Sequence, residues 1–370
     1  MLQRLFYQVM RTGMEFSFRI YVKHFQVIVA YKEKTRDSVI FAPNHGNSFY
    51  DAFSVIFSDH KIPVFLTRGG IFASKIAHFW LSVYYMLPIF RKRDGIKSVA
   101  KNQVIMAKCI ELLKEGRHPV AMFPEGNHNM KLGLRPLKKG ITRMAFDTLE
   151  KYPELDLKII PIGLNYSDPM HFRANVLVLK GDAIYVKPFY ERYKENKTEA
   201  TNELLEAIRI GMDQLQLRIP LENYNEIDKK YRRLRVHGPD LLANFNNDKK
   251  LIQSIIDRKE GSEGVKRSEG SEGFNYSLLI KRIILFPIWL IAWLSNLVPT
   301  LIVRIIVKKT VSDPHFIDAV RFSAATFIFP IVYLFQGLGI YFFTANGGVA
   351  LLYFLLMPLI SKFYYEYLYN

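Results

Sequence analysis

Proton-transfer chemistry is suggested first by FAPNHGNSFYDAF, where His45 follows an apolar run and Asp51 lies six positions later. A carboxylate that holds one imidazole nitrogen fixes the tautomer. It also stabilises the imidazolium formed when the other nitrogen takes a hydroxyl proton. The same two residues equally fit a helix-capping histidine beside an ordinary surface aspartate, and this motif alone leaves both readings open. Farther on, VAMFPEGNHN is an apolar strand pattern running into a turn at Pro124, Glu125 and Gly126. Such a turn offers backbone amides to an anion, with Glu125 as acceptor for a hydroxyl, and the glycine lets backbone approach a ligand. Reading Glu125 and His128 as metal ligands would need a helix that Pro124 and Gly126 oppose, so no metal site is expected. Ser48 lacks a Gly-x-Ser-x-Gly elbow, and Cys109 falls in a helical pattern as a buried structural thiol.

The elements that must hold these residues follow an α/β pattern. Short β-branched runs (QVIVAY, SVIFAP, PVFL, HPVAMF and LKIIPIGLNY) alternate with helical patterns over 51–58, 72–86, 99–115, 138–151 and 199–217. This predicts a mostly parallel sheet flanked by helices over residues 24–256. Residues 1–23 predict an N-terminal amphipathic helix, with a stripe of Leu2, Leu5, Phe6, Val9, Gly13, Phe16 and Ile20 and with Arg4, Arg11, Arg19 and Lys23 mostly off it. That stripe suits either an anionic bilayer surface or docking on the core. The N-terminus has no cleavable leader pattern and is expected to be retained.

Residues 257–275 repeat Ser-Glu-Gly three times among charges and read as a flexible linker. Beyond it, 276–370 predicts a helical membrane region. Phe322 to Ser361 runs for forty residues without Lys, Arg, His, Asp or Glu, broken only by a turn-like Asn346-Gly347-Gly348, which predicts spans at about 322–343 and 345–362. A full crossing by Ile283–Val298 would put Arg304, Lys308, Lys309 and Arg321 outside, against the positive-inside tendency. A re-entrant or interfacial hairpin over about 278–307, broken near Pro299, is therefore expected, with the catalytic domain and C-terminus cytoplasmic.

The chain has 370 residues, a net charge of +17 and one cysteine. One cysteine excludes a disulfide framework and points to a reducing compartment. The charge suits anionic lipids and substrates. Nucleic acid is not an expected partner, because the basic residues are dispersed and no nucleic-acid-binding motif accompanies them. A catalytically silent lipid-binding membrane protein is the other rival.

Four blocks in order, NHGNSFYD, LPIFRKRDG, FPEGNHN and IIPIGLNY, resemble the glycerolipid acyltransferases, the family that acylates glycerol 3-phosphate and 1-acylglycerol 3-phosphate. The resemblance covers residues 39–166. It implies His45 as base and Asp51 as its orienting partner. It further implies that Arg91, Glu125, Gly126 and His128 bind the phosphorylated acceptor, and that Pro161 shapes the acyl-donor site. Two departures narrow it: five residues separate His45 from Asp51 where most members have four, and Asn127-His128 stands where most have Thr-Arg. Both resemble the yeast-type branch that acylates glycerol 3-phosphate or dihydroxyacetone phosphate. With that arginine missing, Arg135, Lys138 and Lys139 become candidates for the phosphate. The implied function is phospholipid synthesis at a bacterial inner membrane. An acyl-CoA or acyl-carrier-protein thioester would be the co-substrate, with no resident cofactor, and the lipid bilayer a partner.

Overall fold

The computed structural model describes residues 2–32, 34, 36–72, 75–91, 95, 100–236, 238–257, 276–311 and 316–369. The expected linker at 257–275 falls almost wholly outside them. The chain forms two compact units, one from residues 1–10, 25–167 and 176–256 and the other from 11–24, 168–175 and 257–370.

The first unit is built on an eight-stranded sheet. Its strands are β1 (Phe25–Val29), β2 (Ser38–Pro43), β3 (Val64–Arg68), β4 (Met86–Ile89), β5 (Val120–Ala121), β6 (Leu157–Tyr166), β7 (Val176–Lys180) and β8 (Ile184–Tyr185). The order is β1-β7-β6-β2-β5-β3-β4, with β8 also on β6. Only the pairs that β6 makes with β7 and β8 are antiparallel. The other pairs are parallel, as the alternating pattern predicts. A parallel return from β6 to β7 would need a crossover of a dozen or more residues, which the short loop between them cannot supply. All six residues of β2 are buried, as befits a central strand covered on both faces.

Helices α2 (Ser48–Phe57), α3 (Lys75–Val83), α4 (Asn102–Glu115), α5 (Gly140–Lys151), α6 (Lys187–Glu195), α7 (Lys197–Gln214), α8 (Tyr224–Leu234) and α9 (Leu241–Asp257) cover the sheet. One core layer packs Ile40 and Ala42 with Cys109, Leu113, Met144, Leu204 and Ile208. A second packs Leu177 and Leu179 with Tyr224, Tyr231, Phe245 and Ile252. Gly163 lies where a Cβ would come within 1.9 Å of the Leu215 carbonyl oxygen, so glycine is what lets the end of α7 close on β6.

The N-terminal helix forms as α1 (Leu2–Tyr21), but its packed face is not the predicted stripe. Tyr7, Met14, Phe18 and Tyr21 are buried, while Leu5 (61% exposed), Val9 (62%) and Phe16 (48%) face outward. Aromatic partners decide this. Tyr7 meets Tyr84 and Tyr85 edge-on in the first unit, and Phe18 and Tyr21 meet Phe322 in the second.

In the second unit α10 (Tyr276–Thr310), α11 (Ile317–Thr344) and α12 (Gly347–Tyr369) form a three-helix bundle. Ile284–Thr310, Ile317–Thr344 and Gly347–Tyr365 are each long and apolar enough to cross a membrane. The hairpin expected over 278–307 is not formed, because α10 runs continuously through Pro287 and Pro299. Proline is tolerated in such helices because neighbouring helices and local adjustments re-satisfy the freed backbone groups. Polar side chains join the bundle. The Asn296 amide donates to Ser361 Oγ at 3.0 Å and Tyr333 Oη donates to Asn296 Oδ1 at 2.6 Å, all three side chains being buried.

Candidate active site

Every element of the site leaves the sheet at the C-terminal ends of parallel strands, where open α/β sheets bind ligands. β2 runs directly into the loop carrying His45. Asn44 fixes the exit, its amide donating to the Leu164 carbonyl at 3.2 Å and its Oδ1 accepting from the Leu164 amide at 2.6 Å. Ser48 then takes a left-handed conformation, φ 52°, at the first residue of α2. A residue that is neither glycine nor asparagine adopts this at a cost of roughly 1–2 kcal/mol. The tight turn brings the next helical turn back toward His45.

Asp51, fully buried in the first turns of α2, is the hub. Its Oδ2 accepts from His45 Nδ1 at 2.8 Å and from the Asn47 amide at 2.7 Å. Its Oδ1 accepts from the Tyr166 hydroxyl at 2.7 Å. Because a carboxylate only accepts, the proton on the imidazole sits on Nδ1 and the lone pair on Nε2. The imidazole stacks on Phe123, centroids 4.1 Å apart, and meets the His128 ring edge-on at 5.7 Å.

The loop after β5 closes on the same histidine. The His45 amide donates to Glu125 Oε1 at 2.8 Å, and the His45 carbonyl accepts from the Asn129 amide at 2.9 Å. Glu125 Oε2 takes Arg135 Nε at 3.2 Å and the Arg135 amide at 3.3 Å. The sequence reading offers Glu125 as acceptor for a substrate hydroxyl, and in the structure both of its oxygens already accept from protein donors. The side chain turns inward, is 6% exposed, and spends both oxygens on the protein. Burial pushes its carboxyl above the usual value, and the donors from His45 and Arg135 oppose that rise.

Gly126 turns at φ 69°, and its carbonyl accepts from Arg91 Nη2 at 2.8 Å, so Arg91, following β4, reaches the turn after β5. The Lys138 amide donates to the Pro124 carbonyl at 2.8 Å, and the exposed Lys138 side chain passes over Gly126. Thus His45, Asp51, Arg91, Glu125, Gly126, His128, Arg135 and Lys138 converge. Among the described residues no three His, Cys, Asp or Glu side chains gather as a metal site.

Pro161 does not join them. It lies inside β6 opposite Ala42, buried, its carbonyl accepting from the Gly181 amide and its ring within reach of Gly211. That edge of β6 pairs with β8 through Ile159 and with β7 only from Ile162, so a residue without N–H fits the gap between them. Pro161 is thus packed within the sheet. Cys109 is fully buried and burial pushes its thiol up to about 12, consistent with a structural role.

The sequence reading missed Tyr166. Its hydroxyl meets Asp51 across 115 residues of chain, a contact no local pattern encodes.

The family model for acyltransferases matches residues 26–165, the segment that holds this site. Residues 26–165 are an acyltransferase domain. Glycerol-3-phosphate O-acyltransferase 1 of Saccharomyces cerevisiae is 36% identical over 96 residues, which is 25% of this chain and 13% of the yeast protein. Glycerol-3-phosphate O-acyltransferase 2 of the same yeast is 32% identical over 90 residues, 24% and 12% of the two chains. An uncharacterized acyltransferase of Schizosaccharomyces pombe is 35% identical over 91 residues, 24% and 14%. The matches therefore span about an eighth of these curated relatives' lengths. The crystal structure of PlsC, the 1-acyl-sn-glycerophosphate (LPA) acyltransferase of Thermotoga maritima, is similar over 59% of this chain and 83% of that one, at 13% identity and TM-score 0.40. The acyltransferase domain thus contains the His45–Asp51 pair, the Arg91–Gly126 contact and the Glu125 clamp.

Proposed function

We propose that this acyltransferase domain moves a fatty acyl group from an acyl thioester to a hydroxyl of glycerol 3-phosphate, or of dihydroxyacetone phosphate, in phospholipid synthesis. The observation that carries the reading is the 2.8 Å contact from His45 Nδ1 to a buried Asp51, which leaves the Nε2 lone pair as base. Nε2 takes the acceptor hydroxyl proton as that oxygen attacks the thioester carbonyl. Collapse of the tetrahedral intermediate breaks the C–S bond, and the imidazolium returns the proton to the departing thiolate. Asp51 stabilises the imidazolium between the two steps. Transfer is direct and uses no side-chain nucleophile.

The phosphate of the acceptor falls to Arg91 and Lys138 beside the Gly126 turn, with Arg135 held near them by Glu125. The five residues between His45 and Asp51, together with the yeast glycerol-3-phosphate O-acyltransferases as relatives, favour first acylation over acylation of 1-acylglycerol 3-phosphate. The exposed Leu5–Val9–Phe16 face of α1 and the three apolar helices support work at a bilayer. The lone cysteine favours a reducing compartment for the acyltransferase domain. The test is an assay of purified full chain in phospholipid nanodiscs with all three acceptors, each with acyl-CoA and with acyl-carrier-protein donors. Turnover confined to 1-acylglycerol 3-phosphate would move the assignment to the second acylation, and no turnover with any pair would remove it.

A further inference from the structure

The dyad has a third member at the end of β6. Asp51 is fully buried, and its two oxygens face different sides. Oδ2 serves His45 and Asn47, both from the β2–α2 loop. Oδ1 is held from the opposite side by the Tyr166 hydroxyl at 2.7 Å, across 115 residues of chain. Tyr166 is in turn constrained. Its hydroxyl lies 3.2 Å from Ser54 Oγ, one turn along α2 from Asp51, and its ring rests at 5.7 Å from the Tyr50 ring. Burial and the neighbouring Asp51 charge push the Tyr166 phenol well above its usual range, so it stays a donor wherever the enzyme works. Among the described residues, titratable groups facing the dyad include Tyr50 on α2, Tyr166 on β6, and Glu125 and His128 from the loop after β5.

We propose that Tyr166 is a positioning residue of the acyl transfer, using its hydroxyl to hold Asp51 and to set how strongly the His45–Asp51 pair retains a proton. This rests on the reading of His45 as base. The physical content is specific. A donor on Oδ1 takes up part of the carboxylate charge, leaving less of it for the imidazolium. Without that donor Asp51 is more basic, and the pair as a unit binds its proton more tightly. The neutral imidazole needed to accept the hydroxyl proton then becomes dominant only at higher pH. The ring itself packs the strand end, so phenylalanine preserves the packing and removes only the hydroxyl.

The experiment compares full-length wild type, Tyr166→Phe and a protein with 3-fluorotyrosine at position 166, a stronger donor, all in nanodiscs. Two readouts are taken. The first is kcat and KM against pH with glycerol 3-phosphate and an acyl-CoA. The second is the pH midpoint of carbethoxylation of His45 by diethyl pyrocarbonate, read by mass spectrometry of its peptide, which follows the neutral imidazole without any turnover. Losing a hydrogen bond to a charged group corresponds to roughly one pH unit, so Tyr166→Phe is expected to raise both the acid limb of kcat/KM and the His45 midpoint by about that much. On the acid limb its kcat should fall about tenfold, because less of the imidazole is neutral there, with KM within about twofold. The fluorinated protein should move the midpoint the other way. An unchanged His45 midpoint in both variants, or a KM rise without a change in pH profile, would overturn the proposal. If wild type transfers no acyl group, the proposed function fails, while the carbethoxylation midpoints still decide the role of Tyr166.

Discussion

The backbone amide of His45 donates to the Glu125 carboxylate at 2.8 Å across 80 residues of chain. The loop that carries His45 and the turn at Pro124–Gly126 are therefore one structure. The loop after β2 is held by the side chain of the loop after β5, and Arg135 closes the clamp from beyond.

That clamp has a pH consequence. The folded carboxyl of Glu125 lies above its usual value near 4.5, so between those two values the native state holds more protons than the unfolded chain. Stability contributed through this group accordingly falls as pH rises through that window. Glu125→Gln has no such titration and turns an NH2 toward the Arg135 donors. Its melting temperature should lie below that of wild type by an amount that shrinks as pH is raised from about 4 toward neutrality. Thermal melts across that range check the sign, and a gap that widens with pH would refute it.

Asp51→Asn preserves shape and removes the charge that stabilises the imidazolium. Its amide also cannot satisfy His45, Asn47 and Tyr166 as an acceptor on both sides. The expected loss in kcat is about 10²–10⁴-fold with KM nearly unchanged, measured by steady-state kinetics on the purified protein.

Gly126→Ala meets a positive φ of 69° and places a Cβ 3.3 Å from Lys138 Cγ. The left-handed strain is about 1–2 kcal/mol, and relieving it moves the carbonyl that holds Arg91. KM for the phosphorylated acceptor should rise several-fold while KM for the thioester holds, with a melting temperature a few degrees lower.

How much of this was legible in the sequence depends on where the information lies. β2 and β6 begin and end as the runs SVIFAP and LKIIPIGLNY do, because central strands buried on both faces need mostly apolar residues. His45, Asp51 and the Gly126 turn were visible because each chemistry lies within one loop or one helical turn. β7 and the helices α8 and α9 escaped notice. In α8 only Tyr224, Ile227 and Tyr231 are buried on an otherwise charged helix. Whether the apolar stripe of α1 or its other face packs was open in the sequence, because the partners of Tyr7, Phe18 and Tyr21 lie far along the chain. Continuity of α10 through two prolines depends on the bundle around it. Tyr166 and the inward turn of Glu125 are contacts over 115 and 80 residues, which no local pattern encodes.

The bundle offers its own test. Asn296 donates to the Ala292 carbonyl and to Ser361 and accepts from Tyr333, so Asn296→Leu removes these bonds and leaves Tyr333 and Ser361 only each other, 2.7 Å apart. Interhelical hydrogen bonds of this kind are worth about 0.6–2 kcal/mol. A detergent-stability midpoint lowered by that amount, with kcat unaffected, is the expected outcome.

The central claim is that His45 is the base of acyl transfer, and its most direct measurement is single-turnover acylation of glycerol 3-phosphate by His45→Ala and His45→Gln in nanodiscs, beside wild type of matched thermal stability. The account predicts that the chemical step slows by at least about 10²-fold in both variants while both substrates still bind. A folded His45→Ala protein that transfers acyl groups at the wild-type rate would contradict it.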